Sequence, residues 1–183
     1  IVVGDSLQQD HFPDRKADLV VAHPPFGLRL PDGLGDDPRW ILGNPGRDGS
    51  SAWIQIALSK LSESGRAAVV VEPSWAFRGG PSRELRATLV RQNLLDGVIA
   101  LPRGTFLPDT GIGGLLVLLA KDRSNREPPR EPGEVLFVDW TLPANPDDPP
   151  PTGGQSFDGS TWKHCFANWR DAGAPVASWE GLE

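Results

Sequence analysis

Short aliphatic runs recur along this chain, and each is cut off by a proline, a glycine or a charged residue. Asp18 to Ala22 reads DLVVA and stops at His23-Pro24-Pro25, and Ala67 to Val71 stops at Glu72-Pro73. Leu94 to Leu101 stops at Pro102, and Leu115 to Ala120 stops at Lys121. Runs of roughly four to eight such residues, bounded by turn formers, read as strands buried on both faces. Ile1 to Val3 enters on the same pattern and is expected to end a strand at Gly4-Asp5-Ser6, while the alternation in Glu134 to Trp140 predicts one more.

Helical periodicity fills the gaps. Trp53, Ile54, Ala57, Leu58 and Leu61 recur at three and four residues and form one apolar stripe, with Ser50 as the expected cap and Gly65 as the expected stop. Pro81 sits where a first helical position tolerates proline, and Leu85 and Leu89 then face inward. Strand, helix, strand, helix, strand specifies an α/β layer structure around a mainly parallel sheet. The connection Pro102 to Gly114 is too short for a crossover helix, so the strands it joins are expected to form an antiparallel pair. In such sheets, functional groups gather at the carboxyl ends of the strands. Asp5 and His23-Pro24-Pro25-Phe26 both fall at strand ends.

The stretches outside this pattern divide the chain. Gly27 to Gly49 is rich in Gly, Pro and Asp and is anchored only by Trp40, Ile41 and Leu42, which reads as a long loop of the functional or mobile kind. Asp122 to Gly133 reads as a surface excursion. Thr141 to Gly159 has linker composition, and Trp162 to Glu183 carries Phe166, Trp169 and Trp179, which suit docking onto the body or a partner. The expected organisation is a catalytic domain over 1–140 and a linker with an aromatic tail over 141–183.

Composition excludes more than it assigns. The longest apolar run, Leu115 to Ala120, falls far short of the roughly 20 residues that span a bilayer, so no membrane is expected. One cysteine, Cys165, permits no internal disulfide and no cysteine-built zinc site, and the expected compartment is the cytoplasm. A net charge of -6 runs against a uniformly nucleic-acid-binding surface. Arg83, Arg86 and Arg91, with Arg78 upstream, could form a local basic face, although a solvated helix face is the better account of them taken alone. The chain opens at Ile1 and contains no methionine, so it is expected to be a piece of a longer polypeptide.

His23-Pro24-Pro25-Phe26, directly after DLVVA, is the most specific chemical signal. On its own it could be a strand stop with a packed phenylalanine. It also resembles the Asn/Asp-Pro-Pro-aromatic motif of amino-group methyltransferases, which likewise follows a strand. The stretch LSESGRAAVVVEPSWAFRGGPSRELRATLVRQNLLDGVIAL over 61–101 resembles the corresponding segment of type I restriction-modification modification subunits. PRGTFLPDTGIGGLLVLLAK over 102–121 and EVLFVDW over 134–140 continue that resemblance in order. It covers roughly residues 1–140.

The resemblance implies an adenine-N6 DNA methyltransferase with a Rossmann-like fold, here partial, that uses S-adenosylmethionine and acts on DNA beside a specificity subunit or domain. It implies that His23 and the Pro24 carbonyl accept hydrogen bonds from the target amine, whose lone pair is otherwise delocalised into the ring. Pro24 and Pro25 would fix that backbone, and Phe26 would stack on a flipped base. Gly4-Asp5-Ser6 resembles the acidic position that binds the cofactor's adenine, which makes Asp5 and Ser6 the candidate cofactor residues; read alone, Asp5 is a turn residue.

Two departures matter. The glycine-rich cofactor loop and the ribose-binding acid are missing from this sequence and are expected upstream of Ile1, so the chain alone is expected to bind S-adenosylmethionine weakly and to be inactive. His23 also stands where the family has Asn, Asp or occasionally Ser. A neutral imidazole offers one acceptor and one donor, and a protonated one offers no acceptor. The alternatives are therefore a catalytically degenerate scaffold or partner-binding subunit, or a related enzyme acting on an amide or an RNA amine.

Overall fold

The aliphatic runs become strands of one sheet in the computed structural model, which describes residues 1–31, 37–124 and 132–140. The strands are β1 (Ala17–Ala22), β2 (Leu61–Val71), β3 (Leu95–Ala100), β4 (Leu115–Ala120) and β5 (Leu136–Asp139). Helix α1 (Gly49–Ser59) joins β1 to β2, and α2 (Pro81–Arg91) joins β2 to β3 after a 3-10 turn at Pro73–Ala76. Spatially the order is β1-β2-β4-β3-β5.

β1 is parallel to β2, β3 is parallel to β5, and β4 lies antiparallel to both β2 and β3. Strand direction is therefore mainly parallel with β4 reversed, as the short Pro102 to Gly114 connection requires. The consequence for function is direct. β1, β2 and β3 all end on the same edge of the sheet, and so do the loops that leave them.

One face of the sheet builds the main core. Ala67, Val69 and Val71 of β2 and Leu115, Val117 and Leu119 of β4 alternate onto it, where Ile54 and Leu58 of α1 meet Leu85 and Leu89 of α2. Burying one such side chain contributes about 1.5–3 kcal/mol, and Ile54, Leu58, Val69, Val117 and Leu89 all have no exposed surface. The described residues between Gly27 and Gly49 are fixed by a second cluster, in which Leu30 and Trp40 pack with Leu7, Ala52 and Ile56. Gln55 pins the same loop by accepting from the Leu42 N–H and donating to the Gly43 carbonyl, both at 2.8 Å.

Several expectations need correction. Ile1 to Val3 forms no strand and is exposed, because it pairs with no neighbouring strand among the described residues. β1 is not buried on both faces. It lies at the sheet's edge, and both helices cover the opposite face, so Leu19 and Val21 stay 66% and 73% exposed. Ser50 is not the cap of α1; Asp48 holds that position. Gly65 does not stop α1, since it lies within β2. The helix ends instead at Lys60, whose N–H reaches the Ile56 and Ala57 carbonyls from an ordinary right-handed conformation that needs no glycine. Arg123 is not on the surface but 5% exposed beneath it. The expected linker and tail, and Cys165 with them, lie outside the described residues. Among those that are described, no helix is long and apolar enough to cross a membrane.

Candidate active site at the strand ends

β1 stops at Ala22, and the next four residues, His23 to Phe26, leave it at the strand's carboxyl end and run into a turn. Pro24 is buried and anchors the turn, while His23 and Pro25 are exposed and Phe26 is half-buried. The rings of His23 and Phe26 meet edge to face at 5.9 Å between centroids. A third ring joins them from the β3–β4 connection. Phe106 lies 4.7 Å from His23 and 5.5 Å from Phe26. Edge-to-face pairs at this separation add roughly 0.5–1.5 kcal/mol beyond their burial.

Phe106 was not among the residues the sequence pointed to, although it lies in the Pro102 to Lys121 stretch that carries the resemblance. Nothing in its local pattern places it near His23; the shared carboxyl edge of β1 and β3 does. Gly114 makes room for it. A Cβ at that position would lie 2.8 Å from the Phe106 ring and 3.3 Å from the Phe26 ring, so only glycine allows this approach.

Behind the aromatic trio the loop is tied down by charge. Gly27 adopts a φ of 70°, a left-handed conformation that favours glycine. Its N–H donates to Glu72 Oε2 at 3.1 Å, and the same oxygen accepts from Ser50 Oγ at 3.0 Å. Arg78 donates to Glu72 Oε1 at 2.9 Å and to Asp48 Oδ1 at 2.8 Å. Asp48 Oδ2 in turn accepts from Ser51 and Ser82, both at 2.6 Å. An open cavity of about 300 Å³ adjoins this network, lined by Gly27, Arg29, Arg47, Asp48, Glu72 and Arg78 among others.

This arrangement settles part of the basic-face question. Arg78 is committed to two carboxylates. Arg86 donates to the Trp75 and Arg78 carbonyls and lies over the Trp75 ring, where burial lowers its pKa. Two of the four arginines thus hold the fold, whereas Arg83 and Arg91 are exposed.

Asp5 and Ser6 are held by a different set of partners. The Asp5 carboxylate accepts from the Leu7 N–H at 2.9 Å and from Gln8 Nε2 at 2.8 Å, and the Leu7 bond foremost holds its pKa below the ordinary value. Arg39 donates to the Ser6 and Leu7 carbonyls while paired with Asp37. The segment is therefore fastened to the Gly27 to Gly49 loop. An ionised carboxylate has about four acceptor sites, and Asp5 is exposed, so its two bonds leave capacity for an outside donor.

At a TM-score of 0.68 the chain is similar to the methyltransferase subunit of a type I restriction-modification system from Streptococcus thermophilus, with 22% identity over 91% of this chain and 34% of that one. A putative class I S-adenosylmethionine-dependent methyltransferase from Listeria monocytogenes is also similar, at a TM-score of 0.57 and 17% identity, covering 90% of this chain and 44% of that one. The sequence profile of the N-6 DNA Methylase family matches residues 1–148, and the chain belongs to that family. The HindI type I restriction enzyme methylase subunit of Haemophilus influenzae is 30% identical over 140 residues, which are 74% of this chain and 30% of that protein. The chain thus spans about a third of the length of such relatives.

Proposed function

We propose that this chain forms the target-amine half of an adenine-N6 DNA methyltransferase in a restriction-modification or related system. The observation that carries the reading is the convergence of His23, Phe26 and Phe106 where β1 and β3 end together. In this reading the Pro24 carbonyl and the neutral His23 imidazole accept hydrogen bonds from the exocyclic amine, which restores the nitrogen's lone pair for attack. Phe26 stacks on an adenine flipped from the duplex, and Phe106 closes the edge of the same pocket.

S-adenosylmethionine supplies the electrophilic methyl group when bound. Asp5 and Ser6 would hold its adenosine end, and the open acceptor sites of the Asp5 carboxylate fit an exocyclic amine there. DNA is the substrate and a specificity subunit or domain the partner, in the cytoplasm. Residues 1–140 form the catalytic unit, with 141–183 a separate linker and tail.

A specific observation favours the second reading, a catalytically degenerate scaffold. The His23 ring packs against Phe106 at 4.7 Å and stands in a position where an amide or carboxylate would offer a better acceptor. Losing one properly matched acceptor costs about 1–3 kcal/mol. Methyl transfer to duplex DNA by the intact polypeptide and its specificity partner tests both readings. His23→Asn is expected to raise the rate about tenfold or more. Transfer by the wild type that His23→Asn impairs would show an imidazole adapted to its task. Absence of transfer by both proteins, with S-adenosylmethionine bound, would establish the scaffold.

A further inference from the structure

We propose that Glu72 is a positioning residue for the amine pocket, a triple acceptor that fixes the far end of the His23–Phe26 turn; the inference rests on the adenine reading above. The turn is held at two ends by different means. Upstream, Pro24 and Pro25 restrict the backbone by their rings. Downstream, no ring helps, and Gly27 takes a φ of 70°, from which the chain could relax in several directions. A Cβ at Gly27 would meet nothing within 4 Å, so packing does not fix this residue. Its N–H bond to Glu72 Oε2 does.

Glu72 suits the task because it is itself immobilised. It directly follows β2, whose parallel register with β1 pairs Ala22 with Val69, so the two strand ends advance together. Its side chain is only 12% exposed. Ser50 from the first turn of α1 and Arg78 from the turn before α2 supply the other two donors. A carboxylate accepts several hydrogen bonds and donates none, so three donors from three elements converge on it without conflict. The Phe26 ring, one residue before Gly27, is thereby referred to β2, α1 and the Arg78 turn together. The hydrogen bonds of Glu72 go to Gly27, Ser50 and Arg78, and the role assigned is placement of the turn, not chemistry.

Two readouts on the intact polypeptide test this. Hydrogen exchange at the Gly27 amide reports the bond directly. Fluorescence of a single-stranded oligonucleotide carrying 2-aminopurine reports stacking on Phe26. Glu72→Ala should speed Gly27 exchange about tenfold and lessen quenching at saturating oligonucleotide, while circular dichroism stays native. Glu72→Gln keeps an acceptor oxygen and should restore most of both. Ser50→Ala removes a different bond to the same carboxylate and should leave Gly27 protected. Unchanged Gly27 exchange in Glu72→Ala overturns the proposal. So does lost quenching that Glu72→Gln fails to restore, because that pattern belongs to general loosening. If Glu72→Ala does not fold, Arg78→Gln replaces it: the freed carboxylate should quicken Gly27 exchange by a smaller factor, and no change overturns the proposal. If the wild type never quenches the probe yet Gly27 exchange responds to Glu72, the adenine reading fails and the anchoring bond stands.

Discussion

Two acidic residues on this sheet do opposite work. Glu72 follows β2 at the sheet's functional edge, and Asp96 lies within β3 with no exposed side-chain surface. Asp96 faces Arg123 at 3.5 Å, and the Arg123 side chain is only 2% exposed. Arg123 also donates to Asn93 Oδ1 and to the Leu95 and Glu134 carbonyls, gathering the start of β3 and the approach to β5 around one guanidinium. Burial lowers the Arg123 pKa, with Glu134 opposing the shift, so the ion is held at a cost. Glu72 sits near solvent, takes neutral and charged donors, and holds a turn. The contrast separates a charge pair buried within the fold from a carboxylate that ties a strand-end turn to its neighbours.

Removing the buried partner should have the largest effect. Asp96→Ala breaks the buried ion pair with Arg123, leaving Glu134 and the hydrogen-bond acceptors to offset the charge in part, and is expected to cost about 3–5 kcal/mol. Glu72→Ala should cost less than half of that, since water can reach two of its three former donors, Gly27 and Arg78. Urea unfolding of both variants measures the difference, and equal losses would erase the distinction between the two carboxylates.

Phe106 allows a sharper test at the functional edge. Phe106→Ala should weaken binding of the 2-aminopurine oligonucleotide by about 1–3 kcal/mol, the usual value of base–aromatic stacking. Gly114→Val should mimic it by pushing the Phe106 ring away while leaving that ring in place chemically. Titration at fixed salt compares the two, and a Gly114→Val protein with wild-type affinity would exclude Phe106 from the pocket.

Gly27→Ala isolates backbone strain from packing. A Cβ there meets no neighbour, so the expected cost of about 1–2 kcal/mol comes only from its left-handed conformation. It should appear as faster exchange at residue 27 and leave Asp96 and Arg123 undisturbed. Spread of that change to the β3 amides would mean the two regions are coupled.

The smallest effect concerns pH. Asp5, Asp10 and Asp37 all have pKa values below their ordinary 3.8. The Leu7 N–H lowers Asp5 and the Arg39 side chain lowers Asp37; burial acts foremost against ionisation at Asp10, but the Lys60 and Phe12 hydrogen bonds and the Lys60 and Arg39 charges together outweigh it. Depressed carboxylates stabilise the fold above their unfolded values and lose that contribution as pH falls through their folded ones. Acidification below about 4 should therefore release the Asp5 to Asp10 segment before the core, seen as a change in Trp40 fluorescence ahead of global unfolding. Simultaneous loss of both would refute the order.

Strand and helix positions were legible because each depends on nearby residues. The prolines closing DLVVA, the Leu85 and Leu89 spacing and the short Pro102 to Gly114 connection act over a few positions, and periodicity reports them. The strand-end turn was legible for the same reason, since two consecutive prolines restrict their own backbone. Ile1 to Val3 and the burial of β1 were misread because an apolar run shows only that a strand could be covered. Its neighbours decide whether it is. Arg123 was misread because charge marks a residue for the surface unless a partner distant in sequence is buried with it.

By itself, then, the sequence determined the order of elements, the reversal of β4 and the His23–Phe26 turn, all consequences of local sterics and patterning. Tertiary structure alone decided that Phe106 meets His23 and that Glu72, 45 residues beyond Gly27, receives its amide. Those contacts exist because β1, β2 and β3 run in the same direction and end at one edge. No short-range signal in a chain encodes which distant loop will share that edge.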